Sequence, residues 1–297
     1  MRGIPRVVAT VVVLFFFTIA IWPLQSIAIR RRWPVAARLP WYWQRLACFM
    51  AGVRVTVEGK PATGSVLMAS NHVSWLDISV IGSIAPVSFV AKQEVASWPV
   101  VGTLARLQRS VFIDRTRRTR AADDTAAIAE RVGVGDAIVL FAEGTTGDGN
   151  RMLPFRSALI GAAQMAGARG GIASVQPVAI VYTAIQGLPM GHRDRPTVAW
   201  YGDMKLGGHF MTLIGLGSLD VTVRFGEPVA IGPADDRKRI TALCQEEVRR
   251  MVDQIRRGLP AGRPAPLFSA GEKAAKTPAD AAVPAAERPV GEMAGPV

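Results

Sequence analysis

One short block of the sequence, residues 70–77, combines the residue types that acid–base chemistry needs. It carries His72 and Asp77, five positions apart. The chain has three histidines, and among them only His72 directly follows an apolar run and has a carboxylate close behind it. An aspartate that accepts a hydrogen bond from one imidazole nitrogen fixes the tautomer and stabilises the imidazolium, so that the other nitrogen can remove a proton. The pair therefore predicts a general base oriented by a carboxylate.

The spacing of the pair constrains the local structure. On a regular helix, residues five positions apart lie about 140° apart around the axis and do not share a face. Contact therefore requires His72 in a strand-to-helix turn and Asp77 in the first helical turn. In a second interpretation, Ser74 and Asp77 form a helix capping box, and His72 is an ordinary turn residue. The block alone leaves both interpretations open.

The hydrophobic pattern predicts the elements that must position this block. Apolar runs alternate with segments of helical periodicity, which is typical of a mostly parallel sheet covered by helices. Strands are predicted at 53–57, 65–69, 87–91, 137–142, 174–182, 197–201 and 219–225. Helices are predicted at 77–84, 117–132, 154–168 and 235–257. The predicted fold class is α/β, and the block lies at a strand's carboxyl end, where such sheets bind ligands.

The first fifth of the chain predicts a membrane anchor. The net charge is +12, and residues 1–60 hold nine bases but only one acid. Residues 7–29 carry no charge, and as a helix they would span about 35 Å, enough for a bilayer core of roughly 30 Å. Trp22 lies towards the end of this run, and the arginines at 30–32 and Trp33 follow it, as is typical of a membrane interface. The basic residues that follow predict a cytoplasmic C-terminal body.

Several alternatives for this segment stay open. A cleaved signal peptide is disfavoured because no small-residue cleavage site precedes the arginine cluster, and a buried core helix is the structural alternative. Pro23 leaves a single membrane helix, a hairpin or a half-inserted helix possible. Residues 41–50 are either an interfacial amphipathic helix or a core helix that docks the anchor on the domain. The predicted division is an anchor at 1–50, a globular domain at 51–258 and a disordered Ala/Pro-rich tail at 259–297.

Composition excludes some classes of protein. The only two cysteines, Cys48 and Cys244, cannot form a disulfide framework or a cysteine-rich zinc site, and no metal site is expected. Nucleic acid is a possible partner for a basic protein, but neither zinc-finger spacing nor an aromatic RNA-binding strand is present. Because the basic cluster borders an apolar run, an anionic membrane surface is the expected partner, and no nucleic acid is expected.

Three further blocks give the first one a context. Residues 111–115 (VFIDR) end an apolar run in Arg115, residues 141–145 (FAEGT) end another in a carboxylate and a glycine turn, and residues 175–178 (VQPV) place a proline between apolar residues. Together with Asn-His-x-x-x-x-Asp, and in this order, these blocks resemble those of the glycerolipid acyltransferase family. This family includes the bacterial 1-acylglycerol-3-phosphate acyltransferases. The resemblance covers roughly residues 40–230.

The resemblance implies a mechanism and a set of site residues. His72 would deprotonate the hydroxyl of a lyso-lipid, Asp77 would orient His72, and the alkoxide would attack an acyl-CoA or acyl carrier protein thioester. No cofactor beyond this co-substrate is implied. Arg115 would bind the phosphate of the acceptor. Further substrate-binding roles are implied for Lys92, Glu143, Gly144, Thr145 and Arg156.

The acceptor is less sharply defined than the chemistry. The first expectation is lysophosphatidate, which would give phosphatidate in phospholipid biosynthesis at the cytoplasmic side of a bacterial-type inner membrane. However, the family's third block usually continues with arginine, and this chain has Thr146. This form of the block, with residues 200–203 (WYGD), also resembles lyso-ornithine lipid acyltransferases, which acylate a 3-hydroxy group on an acylated amino acid. That activity is the alternative, and a non-enzymatic anionic-lipid-binding membrane protein is a distant third.

Overall fold

The computed structural model describes residues 3–114, 121–168, 173–232 and 234–261. Within these residues, nine strands form one sheet, in the order β1-β8-β6-β2-β5-β3-β4, with β7 and β9 also paired to β6. The strands are β1 (Val53–Glu58), β2 (Val66–Ser70), β3 (Ser88–Lys92), β4 (Val111–Ile113), β5 (Ala137–Phe141), β6 (Ala173–Ile185), β7 (Leu188–Pro189), β8 (Leu219–Phe225) and β9 (Val229–Ile231). The helices are α1 (Ile4–Arg30), α2 (Val35–Ala51), α3 (Leu76–Ile84), α4 (Val101–Leu107), α5 (Ala121–Gly133), α6 (Ser157–Ala168), α7 (Arg195–Val198), α8 (Leu206–Gly215) and α9 (Arg237–Arg256).

The predicted fold class is confirmed. Strand β2 pairs in parallel with β5 and with β6, and β3 pairs in parallel with β4 and β5, whereas β6 runs antiparallel to β7, β8 and β9. Every residue of β2 is buried, because helices cover both faces of the sheet. Helices α2 and α3 pack together on one face, and α5, α6 and α9 contact strands of the sheet from the other.

The register brings the carboxyl ends of two strands to one place. Ser70, the last residue of β2, lies opposite Phe141, the last residue of β5, and also opposite Val178 of β6. The turns that follow Ser70 and Phe141 therefore leave the sheet side by side. The predicted chemical block and the predicted Glu-Gly-Thr block begin in these two turns.

One predicted strand is wrong. Residues 197–201 do not join the sheet. The first two of them end the short helix α7, and the chain is extended directly after it. Pro196 stands in the first turn of α7, where its fixed φ favours a helix start over a strand. The apolar pattern has another cause, because Val198 and Ala199 are buried and the Trp200 N–H donates to the Val73 carbonyl at 2.9 Å.

The N-terminal residues form two antiparallel helices. Helix α1 continues through Pro23, so the proline does not split it. Four hydrogen bonds join α1 to α2 along its length: Arg6 Nη2 donates to Met50 O (3.4 Å), Thr10 Oγ1 to Met50 O (3.3 Å), Trp43 Nε1 to Thr18 Oγ1 (2.8 Å) and Gln25 Nε2 to Ala36 O (3.0 Å). Helix α2 in turn packs on α3. The hairpin is thus fixed to the globular part and is not a free tether.

Most of the surface of α1 is apolar and unpacked. Among the described residues, α1 is the one helix long and apolar enough to cross a membrane, with a mean hydropathy of 2.5 over its most apolar window. The large hydrophobic side chains that are exposed on the hairpin are those of Ile4, Val8, Val11, Val12, Val13, Phe15, Phe16, Ile19, Trp22, Leu24, Ile27, Trp33, Tyr42 and Phe49. The predicted division at residues 50 and 258 stays a prediction. Residues 262–297 of the predicted tail lie outside the described residues.

Candidate active site

His72 and Asp77 are in contact. His72 lies in the turn after β2, Asp77 lies in the first turn of α3, and Nδ1 of the imidazole is 2.8 Å from Oδ2 of the carboxylate. This is the arrangement that the spacing required. Asp77 is fully buried, whereas 16% of the His72 side chain is exposed. The carboxylate is therefore shielded from water, and the imidazole lies at the border of the solvent.

The capping interpretation holds only in part, through the same carboxylate. Oδ2 of Asp77 accepts hydrogen bonds from the Val73 N–H at 2.7 Å and from the Ser74 N–H at 2.9 Å. The Ser74 hydroxyl does not complete a capping box, since its buried oxygen has no partner within the described residues. One aspartate thus starts the helix and orients the histidine, so the two interpretations are not alternatives.

Tyr182 is a site residue that the sequence analysis missed. Its hydroxyl donates to Oδ1 of Asp77 at 2.7 Å from the middle of the sheet. Burial, and then the charge of Asp77, raise the pKa of Tyr182 well above its ordinary value, so the phenol keeps its proton. The only signal in the sequence is a tyrosine that directly follows the aliphatic residues 178–181 of β6.

The His72 ring is held in a defined orientation. It stacks on the Phe141 ring with centroids 3.8 Å apart and an angle of 9° between the planes. Asp77 accepts hydrogen bonds on both oxygens, so Nδ1 carries the proton that it donates to Oδ2. Nε2 then has a free lone pair. The arrangement can accept a proton at Nε2 and stabilise the resulting imidazolium.

Glu143 supports the histidine through the backbone. Its Oε1 accepts the His72 N–H at 3.1 Å, and its Oε2 accepts the Leu153 N–H at 3.0 Å. Burial raises the pKa of Glu143 to about 7, although the two backbone hydrogen bonds act in the opposite direction. Both oxygens are thus occupied by the chain itself, and Glu143 positions the turn that carries His72.

The other predicted site residues are placed less centrally. Gly144 has a φ of +78°, and a Cβ there would lie 2.7 Å from Nε of Arg156, so this guanidinium packs over Gly144. Thr145 is exposed in the same loop, and Lys92 is exposed at the end of β3. Arg115 lies outside the described residues. Their substrate-binding roles stay predictions.

A crevice opens beside the imidazole. It is lined by Asn71, His72, Val73, Glu143, Gly149, Arg151, Met152, Val252 and Arg256. Two of these, Val252 and Arg256, come from α9, which the predicted blocks did not include. Within the described residues, no group of three or more His, Cys, Asp or Glu side chains is placed to hold a metal ion.

Comparisons with known proteins identify the family of the chain. Residues 53–181 match the family model described as Acyltransferase. The chain is 42% identical over 255 residues to a lyso-ornithine lipid O-acyltransferase of Brucella abortus, covering 85% of this chain and 96% of the relative. It is 33% identical over 210 residues to a 1-acyl-sn-glycerol-3-phosphate acyltransferase of Neisseria meningitidis, covering 70% and 77%.

The fold is also found in a solved structure. The crystal structure of the 1-acyl-sn-glycerophosphate acyltransferase of Thermotoga maritima matches with a TM-score of 0.56 at 21% identity, covering 86% of this chain and 98% of that one. The sheet, its flanking helices and the long apolar N-terminal helix are thus those of a known fold. By its sequence and its fold, the chain belongs to the acyltransferase family that includes the lyso-ornithine lipid and 1-acyl-sn-glycerol-3-phosphate O-acyltransferases.

Proposed function

We propose that the protein is a lyso-ornithine lipid O-acyltransferase. The observation that carries this proposal is the match to the Brucella abortus relative, which extends over 96% of that protein at 42% identity. A second relative of the same name, from Rhizobium meliloti, is 40% identical over 277 residues. The first expectation from the sequence was lysophosphatidate as acceptor. The relatives favour the alternative, and lysophosphatidate is retained as a second candidate because of the 33% identity to the Neisseria enzyme.

The contacts of His72 support a direct transfer. Nε2 of His72 removes the proton from the 3-hydroxy group of the acceptor, and the oxygen attacks the carbonyl carbon of the acyl thioester. The carbon–sulfur bond breaks, and the thiolate takes the proton back from the imidazolium. The buried carboxylate 2.8 Å from Nδ1 stabilises the charged ring between these two steps. The donor in this proposal is an acyl-CoA or an acyl carrier protein thioester.

The hairpin supports a location at the membrane surface. Helix α1 is hydrogen-bonded to α2 near both ends, and α2 packs on α3, so in this proposal α1 stays packed on the domain. Its exposed apolar flank would instead enter one leaflet, with the tryptophans and arginines of the hairpin at the lipid boundary. In this proposal the site faces the cytoplasmic side of the inner membrane, where the donor is available.

The test supplies purified protein with labelled acyl-CoA or acyl carrier protein thioester and with one acceptor at a time, either lyso-ornithine lipid or lysophosphatidate. The labelled lipid product is then identified. We expect labelled ornithine lipid, with a rate on lysophosphatidate at least tenfold lower. His72→Ala should lose about 10²-fold or more in kcat, the range of general-base catalysis. A correctly folded His72→Ala protein, judged by its thermal unfolding midpoint, that keeps wild-type activity would show that His72 is not the base. Labelled phosphatidate as the main product would overturn the acceptor.

A further inference from the structure

Two arginines from distant parts of the chain meet beside the candidate site. Arg195 is the first residue of α7, and Arg256 is the last residue of α9. Both line a second crevice, together with Val73, Gly149, Tyr182 and Met190. Val73, Gly149 and Arg256 also line the crevice that contains His72. The two crevices are therefore adjacent, and the arginines lie next to the turn that carries the imidazole.

Arg256 is held rigidly, and by neutral groups. Its Nη1 donates to the Asn150 carbonyl at 3.0 Å and its Nη2 to the Gly149 carbonyl at 2.7 Å. Its Nε is buried and has no hydrogen-bond partner within the described residues. These contacts fix the position of the guanidinium without neutralising its charge. They also tie α9 to the loop that follows Glu143.

Arg195 is close to Arg256 and weakly held. Its Nη1 lies 3.4 Å from Oδ1 of Asn150, at the long end of the hydrogen-bond range. Burial, and then the charge of Arg195, lower the pKa of Arg256, while Asp253 and Asp148 act in the opposite direction. Neither arginine forms an ion pair with a carboxylate in the part of the chain that the structure describes.

Two neighbouring cations in a partly buried crevice are a favourable place for an anion. Two like charges repel each other more strongly in a crevice that partly excludes water than in bulk solvent. An anion bound between them offsets this repulsion. Guanidinium groups bind carboxylates through paired, charge-assisted hydrogen bonds, and the planar geometry of the two groups matches. An anion bound here would belong to a molecule that also reaches His72, since the two crevices share Val73, Gly149 and Arg256.

We propose that Arg195 and Arg256 bind the free carboxylate of the acceptor's ornithine head group. This inference rests on the proposed function. In lyso-ornithine lipid, the reacting hydroxyl is on the acyl chain that is amide-linked to ornithine, a few bonds from the carboxylate. With the carboxylate on the two guanidinium groups, the hydroxyl extends past Val73 to the imidazole. The arginines thus position the acceptor for attack, and they take no part in proton transfer.

Arg195 is the residue to change, because Arg256 also supports the loop backbone. Arg195→Gln removes the charge and keeps much of the side-chain length. Arg193→Gln is the matched control, since Arg193 is exposed two positions earlier and its replacement changes the net charge equally. With lyso-ornithine lipid as acceptor, Arg195→Gln should raise KM about 10- to 100-fold, with a much smaller change in kcat. Arg195→Lys should recover part of the loss, and Arg193→Gln should behave as wild type.

A modified acceptor distinguishes loss of carboxylate recognition from a general loss of activity in the variant. The acceptor with a carboxamide in place of the head-group carboxylate should have a raised KM with the wild type, and Arg195→Gln should raise it no further. An equal effect of Arg195→Gln on both acceptors would overturn the inference, as would an unchanged KM for lyso-ornithine lipid. Wild-type protein that acylates lysophosphatidate but not lyso-ornithine lipid would overturn the proposed function, and the carboxylate assignment with it.

Discussion

Replacing Asp77 by asparagine isolates the charge of the buried carboxylate from its geometry. The asparagine carbonyl can still accept the Val73 and Ser74 N–H groups, and its amide can donate to the Tyr182 oxygen, so the turn should keep its shape. What disappears is the negative charge beside the imidazole. We therefore expect a folded protein with a strongly reduced kcat and a nearly unchanged KM for the acceptor.

The size of the loss follows from the contact distance. Nδ1 and Oδ2 are 2.8 Å apart. This places the centres of charge about 4 Å apart, and at an effective dielectric constant of about 20 the attraction is about 4 kcal/mol. Since about 1.4 kcal/mol corresponds to a factor of ten, kcat should fall about 10³-fold. The loss on His72→Ala should be at least as large, because the carboxylate acts through the imidazole. Weakening two charge-assisted hydrogen bonds to backbone N–H groups should also lower the free energy of unfolding by about 2 kcal/mol.

The assay is acyl transfer to lyso-ornithine lipid in mixed micelles, with kcat and KM determined separately. Asp123→Asn is the matched control, because Asp123 is an exposed acid in the first turn of α5 and its loss tests the removal of a helix-terminal charge alone. The double variant with His72→Ala should be no slower than His72→Ala by itself, because the carboxylate acts through the imidazole. A folded Asp77→Asn protein within about fivefold of the wild-type kcat would refute the reasoning, since the ~4 kcal/mol attraction would then be absent.

Two further predictions concern the support of the site and its approach to lipid. The native pKa of Glu143, about 7, lies above the ordinary 4.5, so the folded state binds the additional proton between these values. The free energy of unfolding should therefore fall by up to ~3 kcal/mol as the pH rises from about 4.5 to about 7, in denaturant titrations, and Glu143→Gln should remove this slope. A slope equal in both proteins would contradict the assignment. Phe15 and Phe16 are exposed on α1, and replacing both by serine should weaken binding to phosphatidylglycerol/phosphatidylethanolamine vesicles about 10²-fold. Val134→Ser, at an exposed apolar residue outside the hairpin, is the control, and equal effects of the two changes would argue against a lipid-facing α1.

The contact between His72 and Asp77 was predictable because it is local. Both residues lie in one strand–turn–helix unit, and the spacing alone required the turn that the structure contains. The strands of the sheet centre were predictable for a related reason, since a strand buried on both faces has a continuous apolar run. The same reasoning failed at residues 197–201, where the buried residues Val198 and Ala199 lie at the end of a short helix and not within the sheet.

The partners that come from distant segments were not predictable. Tyr182 reaches Asp77 only because β6 lies beside β2, and lateral strand order is not encoded in the pattern of either strand. Arg195 and Arg256 lie outside the four sequence blocks, on a short helix and at the end of the last described helix. The role proposed for them depends on the close approach of both to the loop at Gly149, which only the tertiary structure shows.

The packing of α2 on α3 sets a distance as well as a location. Because the first turn of α3 holds the carboxylate of Asp77, the contact with Asp77 and the packing of α2 on α3 together set the distance of the reacting nitrogen from the hairpin. If the hairpin lies in one leaflet, as proposed, this packing sets the depth of His72 in the membrane. A hydroxyl group at the same depth would then reach the imidazole, whereas one deeper among the acyl chains or further out in the water would not, even when its chemistry is the same.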